Sequence, residues 1–156
     1  MYKTILVPHG GTPAGDEAVC HAIHLAKNDS AKIILLHVIE SSPIPATFAL
    51  AESERQKLVA DMERANNMLK KTMDEKLEEQ IKKCKEKGVR AEKIVVVGDA
   101  AEEILKINLK NDIDLIVMAK RRKLKGLKKL LSLGSVSRKV VEHVFCPVYL
   151  IDIEHI

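Results

Sequence analysis

The residues best suited to chemistry in this chain form a basic segment that leads into a glycine-serine pair. Seven of the ten residues 120–129 are Lys or Arg, and no acidic residue stands among them. Gly134 and Ser135 follow, and small residues of this kind are typical of a helix N-terminus. Free backbone N–H groups at a helix N-terminus bind anions. Residues 120–137 are therefore predicted to hold a phosphate, with a solvated basic surface as the alternative that remains open.

Charge and length restrict the classes to which the chain can belong. Its 156 residues suffice for one compact domain, so a single domain over residues 1–156 is predicted. The net charge is +4, but acidic side chains outnumber basic ones outside residues 120–129. This local basicity favours a phosphate site over general binding of nucleic acid. Trp is absent and only two Tyr and two Phe occur, which argues against stacking platforms for single-stranded nucleic acid.

Cysteine spacing and hydropathy predict a cytoplasmic protein. Cys20, Cys84 and Cys146 are widely spaced and odd in number, which is typical of free thiols and not of a disulfide framework. No run approaches the roughly 20 apolar residues of a membrane span, and no signal peptide is expected at the start. Cys20, His21 and His24 share one helical turn. Because no second cluster has zinc-like spacing, a polar helix face is favoured there and no metal is predicted.

The sequence contains no recognisable catalytic motif. It has no G-x-S-x-G elbow, no Ser/His/Asp order and no pair of carboxylates for acid–base chemistry. Residues 8–12 and 119–137 include no Asp or Glu that could hold magnesium for phosphoryl transfer. His9 is the one candidate base in these segments, so turnover is expected to be absent or very slow. The chain is therefore not predicted to be an enzyme.

Five apolar runs predict the strands that position these residues, at 4–8, 33–39, 94–97, 115–119 and 148–151. Most are continuous and β-branched, as in parallel strands that are covered on both faces. Helical patterns separate them, with N-terminal capping signals at Thr12 and Asp99. This alternation predicts an α/β fold, a doubly wound five-stranded parallel sheet with helices on both faces.

Apolar spacing also predicts which helix faces are buried. The stripe on the long second helix comprises Leu58, Met62, Ala65, Leu69, Met73, Leu77, Ile81 and Cys84. The last helix is predicted to bury Val136, Val140, Val141 and Val144. In doubly wound sheets, ligands bind beyond the carboxyl ends of the strands where the strand order reverses. Residues 8–12 and 119–137 are therefore expected to face one crevice.

Six motifs together resemble the universal stress protein family, namely ILVP, LLHV, GDAAEEIL, DLIVM, LLSLGSVS and CPVYLI. The resemblance covers residues 5–151, nearly the whole chain. It implies a parallel sheet with strand order 3-2-1-4-5 and, for one branch of the family, ATP binding. It also implies a homodimer that pairs its last strands through Val148, Tyr149, Leu150 and Ile151.

The motif of the ATP-binding branch is only partly present in this chain. That branch usually has Asp two residues after the first-strand Pro, where Gly10 stands here. Its G-x-x-G after the fourth strand is replaced by Ala119 and Arg122 at the two glycine positions. Eleven residues, where the family has nine, then separate Arg122 from Gly134. Residues 134–137 match the phosphate-binding end of the motif.

The resemblance and the expected crevice together imply one ligand site. Its predicted residues are Pro8, His9, Gly10, Val38, Met118, Ala119, Arg121, Arg122, Gly134, Ser135, Val136 and Ser137. ATP or another phosphate-bearing molecule is the implied ligand. The predicted function is a dimeric nucleotide- or anion-responsive binding module in the stress response. A nucleotide-independent member that acts by protein–protein contact and a slow ATP hydrolase are the alternatives.

Overall fold

The computed structural model describes residues 1–40, 50–120 and 133–152. Strands and helices alternate along this part of the chain. The strands are β1 (Thr4–Pro8), β2 (Lys32–Glu40), β3 (Ala91–Gly98), β4 (Leu115–Lys120) and β5 (Val148–Asp152). The helices are α1 (Pro13–Asp29), α2 (Glu52–Glu86), α3 (Ala100–Lys110) and α4 (Ser135–His143).

The five strands form one parallel sheet in the order β3-β2-β1-β4-β5. This order confirms both the predicted doubly wound fold and the strand order that the resemblance implied. The central pair is aligned at its start by Asp114, whose carboxylate accepts hydrogen bonds of 2.8 Å from the backbone N–H groups of Lys3 and Thr4. β1 and β4 therefore begin in register at the centre of the sheet.

Side chains alternate between two cores, one on each face of the sheet, because successive strand residues point in opposite directions. Ile5 and Val7 contribute to the core beneath α1 and α2, which also contains Val19 and Leu77. Leu6 lies in the core on the other face, beneath α3 and α4. Each strand is thus covered twice, which explains its continuous apolar sequence.

The predicted apolar stripe of α2 is buried only in its C-terminal part. Leu77, Gln80, Ile81 and Cys84 are buried, whereas Ala65 is exposed and Leu69 is 50% exposed. The helix has 35 residues and is about 52 Å long, while the nine residues of β2 span only about 30 Å. The predicted burial of Ala65 and Leu69 is therefore wrong, because the helix extends beyond the sheet that covers it.

Burial in α4 follows one narrow face. Val140 is fully buried and Val136 and Val144 are partly buried, but Val141 is 41% exposed. Consecutive residues of an α-helix are turned by about 100°, so Val141 points away from the core that holds Val140. The predicted burial of Val141 is wrong for this reason.

The helix ends agree with the capping signals of the sequence. Thr12 is the N-cap of α1, followed by Pro13 in the first turn. Asp99 caps α3, since its carboxylate accepts a 3.0 Å hydrogen bond from the N–H of Glu102, and this bond lowers the pKa of Asp99. Of the helices in the described ranges, none is long and apolar enough to cross a membrane.

Candidate functional site

The sheet opens between its two central strands at their carboxyl ends. The ladder between β1 and β4 pairs Ile5 with Leu115 and Leu6 with Ile116. Within the described residues, the two strands form no further ladder pair beyond Ile116. β1 nevertheless stays paired with β2 as far as Pro8, and β4 stays paired with β5 as far as its last residue. The resulting gap, called the crevice below, lies where the strand order reverses, the usual ligand position in such sheets.

Three predicted site residues share the apolar core on the α3/α4 face of the sheet. Met118 is buried in this core, and Val38 and Val136 pack against it as partly buried side chains. Pro8 and Ala119 lie at or near the ends of β1 and β4. The fold therefore brings residues from β2, β4 and α4 into one core, and their part in a ligand site stays a prediction.

The N-terminus of α4 is a candidate anion site. Gly134 is its N-cap, has an extended backbone and provides no side-chain cap. Ser135 is exposed, whereas Ser137 is buried and its hydroxyl donates a 3.2 Å hydrogen bond to the Gly134 carbonyl. The hydroxyl proton of Ser137 is thus used within the turn. An anion at this site would rely on backbone N–H groups and on Ser135.

Lys120 is the one residue of the basic segment 120–129 that lies within the described residues. Its ammonium lies 3.7 Å from the Asp152 carboxylate, so the last residues of β4 and β5 form an ion pair. Arg121, Arg122 and the remaining basic residues up to 129 lie outside the described residues. Their predicted contact with a phosphate stays a prediction.

The loop between β1 and α1, residues 9–12, borders the crevice and is called the crevice loop. A Cβ built on Gly10 would have Thr12 Oγ1 as its nearest neighbour, 4.0 Å away. Gly11 has a φ of +74°, and a Cβ there would meet Met73 at 3.2 Å. Gly11 therefore requires glycine, whereas a Cβ at Gly10 would make only an ordinary contact with the described residues.

His9 turns its side chain away from the crevice, toward α1 and α2. Its imidazole is fully buried, with Nδ1 accepting a 3.1 Å hydrogen bond from the N–H of Gly11. Nε2 lies 3.0 Å from Asp16 Oδ1, and it donates because Nδ1 is the acceptor. Burial lowers the pKa of His9, although Asp16 opposes this shift. Both ring nitrogens of His9, the candidate base that the sequence indicated, are engaged in structural hydrogen bonds.

Two further side chains, from α2 and β2, form hydrogen bonds to the backbone of the crevice loop. Lys76 of α2 donates a 2.6 Å hydrogen bond from Nζ to the Gly11 carbonyl. His37 of β2 donates from Nδ1 to the His9 carbonyl over 2.7 Å. The sequence alone gave no role to Lys76. The partners are 65 residues apart for Lys76 and 28 for His37, which no local pattern reveals.

Gln80 completes this group, which we call the His9 cluster (His9, Asp16, His37, Lys76 and Gln80). Its amide nitrogen donates a 2.8 Å hydrogen bond to Asp16 Oδ1. Its carbonyl oxygen is buried without a hydrogen-bond partner in the described structure. A polar residue inside an otherwise apolar stripe of α2 was the available sequence signal for this contact.

The contacts of His21 in α1 are with Glu17 and Tyr149. His21 Nε2 lies 3.6 Å from Glu17, and its ring centroid lies 5.7 Å from that of Tyr149. Within residues 1–40, 50–120 and 133–152, no three His, Cys, Asp or Glu side chains are grouped to hold a metal ion.

Comparison with known proteins identifies relatives along nearly the whole chain. Residues 1–152 match the sequence model described as the universal stress protein family. Universal stress protein YxiE of Bacillus subtilis is 34% identical over 156 residues, covering 97% of this chain and 99% of YxiE. The solved structure of protein MJ0577 from Methanocaldococcus jannaschii has a TM-score of 0.79 and 28% identity, covering 100% of this chain and 99% of that one.

Two more distant solved structures carry named nucleotides. A universal stress protein in complex with cAMP has a TM-score of 0.64 and 19% identity, with 97% of each chain covered. A family protein of Arabidopsis thaliana with AMP bound has a TM-score of 0.59 and 20% identity, with 96% of this chain and 91% of that chain covered. At these identities the likeness concerns the fold alone.

Proposed function

The chain belongs to the universal stress protein family, and from this premise we propose that it is a cytoplasmic binding module for a nucleotide or another phosphate-bearing ligand in the stress response. The observation that carries the proposal is the crevice, where the β1–β4 ladder stops after Leu6 and Ile116. A gap at this position is where doubly wound sheets receive their ligands. The cAMP and AMP complexes of two proteins with this fold support the same ligand class.

The phosphate end of the proposed site is the turn at residues 134–137. Backbone N–H groups at the start of α4 favour negative charge, and the neighbouring segment 120–129 carries seven basic residues. We place the nucleoside end toward Val38, Met118 and Gly10, and residue 10 carries no carboxylate to select a base or ribose. The site should therefore discriminate poorly among nucleosides and depend on phosphate contacts. Such exposed contacts are screened within about 8 Å at physiological ionic strength, so affinity should fall with salt.

Calorimetric titration of ATP, GTP and pyrophosphate tests this proposal. Ser135→Asp places a negative charge at the start of α4 and should abolish binding of all three ligands. Ser30→Asp is the matched control. Ser30 is exposed and lies at the C-terminal end of α1, next to the amino ends of the strands. Wild-type affinity is expected for this control. Tight ATP binding that excludes GTP and survives Ser135→Asp would place the ligand elsewhere.

The assembly we propose is a homodimer that pairs β5 with β5 across a twofold axis. β5 is an edge strand, and an unpaired edge of this kind is usually protected in soluble proteins. Tyr149 is 44% exposed and is available for such an interface, whereas Ile151 is already buried by its own chain. If none of the three ligands binds, the alternative function is a nucleotide-independent role in protein–protein contact.

A further inference from the structure

We propose that His9 is a positioning residue that makes the crevice loop sensitive to protons. The neutral ring holds Gly11 in place, and protonation of the ring releases it. The effect on the loop follows from the geometry of His9 alone. Its consequence for ligand affinity rests on the proposed function.

The tautomer of His9 is dictated by its two partners. The Gly11 N–H points at Nδ1 over 3.1 Å, so Nδ1 must carry a lone pair, and the ring proton resides on Nε2 beside Asp16. A protonated imidazole is a donor at both nitrogens. The second proton would therefore face the Gly11 N–H, and the hydrogen bond that fixes the loop would be replaced by repulsion between two donors.

The ring cannot turn aside to avoid this conflict. Its side chain is fully buried. A Cβ built on Gly15 would lie 2.9 Å from ring atoms Cδ2 and Nε2, so the backbone at Gly15 in the first turn of α1 lies directly against the imidazole. Asp16, in the same turn, holds the other side of the ring. The crevice loop is the part that must move when the ring becomes charged.

Charged and titratable groups face His9 from three elements. Asp16 of α1 favours the protonated ring, whereas Lys76 of α2 and His37 of β2 oppose it. Burial has the largest effect, and the pKa of His9 is lowered from its ordinary value of 6.5. Between 6.5 and the lowered value, the unfolded chain binds a proton that the folded chain does not. Folding stability contributed by the neutral ring is therefore present above pH 6.5 and lost as the pH falls through this window.

The released loop is the one that borders the crevice. Gly10 lies between His9 and Gly11, so its peptide unit belongs to the segment that the hydrogen bond from Gly11 N–H to His9 Nδ1 holds in place. Loss of the Gly11 hydrogen bond would free this peptide and raise the ordering cost of ligand binding. Acid should therefore weaken the ligand through the loop, in addition to any effect on the ligand's own phosphates.

Nuclear magnetic resonance of the intact protein without ligand tests the first step. Ring nitrogen shifts should show the Nε2–H tautomer near pH 7.5, and the Gly11 amide should titrate together with the His9 ring. The hydrogen-exchange protection of the Gly11 amide, corrected for intrinsic rates, should fall about fivefold on protonation, the change expected for a net hydrogen bond of about 1 kcal/mol. An Nδ1–H tautomer at neutral pH, or a Gly11 amide that does not follow the ring, would overturn the proposal.

Three variants separate the role of the hydrogen bond from that of packing. His9→Asn keeps an acceptor oxygen near the Nδ1 position but cannot titrate, so Gly11 should stay protected at every pH. His9→Gln reaches toward Asp16 but offers no acceptor at the Nδ1 position, so the protection should be low at every pH. His24→Asn is the matched control at an exposed position of α1. In this variant the protection of the Gly11 amide should depend on pH as it does in the wild type. Acid-induced loss of protection in His9→Asn equal to that of wild type would contradict the proposal.

Calorimetry with ATP at pH 7.5 and at a pH below the His9 pKa found in the resonance titration tests the consequence for binding. The affinity of wild type should fall several-fold more than that of His9→Asn, because protonation of ATP itself is common to both proteins. If ATP binds neither protein while the Gly11 amide still follows the His9 ring, the proposed function fails and the loop mechanism stands. If both proteins lose affinity equally, the link between the loop and the ligand is refuted.

Discussion

At the residue scale, three glycines in the crevice loop and the adjacent first turn of α1 have different requirements. Gly11 needs glycine because of its positive φ, and Gly15 needs it because the His9 ring lies against its backbone. Gly10 has neither constraint, since among the described residues the nearest neighbour of a Cβ there would be Thr12 Oγ1 at 4.0 Å, an ordinary contact distance. A Cβ at residue 10 is therefore compatible with the packing of the described residues, and substitution there is expected to leave the fold intact.

Gly10→Asp is expected to convert a site that depends on phosphate into one that also selects the nucleoside. A hydrogen bond to a charged group contributes about 1.5–3 kcal/mol, which corresponds to roughly ten- to hundredfold tighter binding of ATP. The affinity for pyrophosphate should not increase. Calorimetric titration of both ligands measures the difference, with Gly10→Asn as the uncharged control of similar shape. An ATP affinity that falls in Gly10→Asp would mean that residue 10 faces the phosphates and not the nucleoside.

At the element scale, α2 has two parts with different surroundings. The part that covers the sheet contributes Leu77, Ile81 and Cys84 to the core, and burial raises the pKa of the Cys84 thiol to about 11. The first part, residues 52–72, precedes the first buried residue and contains Met68 at 73% and Leu69 at 50% exposure. α2 follows β2 in the chain, so it begins near the carboxyl end of that strand. Its first part therefore extends beyond the carboxyl ends of the strands, where the crevice lies.

Two matched substitutions on α2 test this division. Leu77→Ala creates a cavity in the core and should lower the free energy of unfolding by about 2–5 kcal/mol. Leu69→Ala makes the same chemical change on the exposed part and should alter it by no more than about 0.5 kcal/mol. Urea denaturation followed by circular dichroism measures both values. A loss at Leu69 as large as that at Leu77 would show that the first part of α2 is covered in solution.

At the scale of the whole molecule, the sheet has two edges, β3 and β5. The orientation of β5 can be derived from one hydrogen bond, in which Ile116 N–H donates to the Pro147 carbonyl. In a parallel strand, alternate residues direct their backbone groups to opposite sides. Pro147, Tyr149 and Ile151 therefore face β4, whereas Val148 and Leu150 direct their N–H and carbonyl groups toward the free edge.

Proline substitutions on β5 distinguish the free edge from the paired one. Leu150→Pro removes an outward N–H group and should yield a folded monomer or an aggregate, whereas the wild type should be a dimer. Tyr149→Pro removes an N–H group that faces β4 and should instead lower the stability of the fold. Light scattering at tens of micromolar protein gives the oligomeric state, and circular dichroism confirms that Leu150→Pro is folded. Wild-type protein that is monomeric under these conditions would contradict the β5 dimer.

Much of the architecture could be predicted from the sequence because its signals are local. β1 has the predicted bounds, Thr12 and Asp99 cap the predicted helices, and α4 begins at Ser135 as expected. Strand propensity, periodicity and capping each act over a few residues, so the order of types along the chain is sufficient to identify them. Met118 and Val136 contact the same core, the first through the alternation of strand side chains and the second through helical periodicity.

Only the tertiary structure decided which way His9 points and what holds the crevice loop. The bond from Lys76 to Gly11 spans 65 residues and that from Gln80 to Asp16 spans 64, so neither has a local signature. The exposed half of α2 likewise depends on the length of the sheet beneath it and not on its own apolar spacing. Periodicity determines that a helix has an apolar face, but burial requires a partner surface, and that surface exists only once distant segments have packed together.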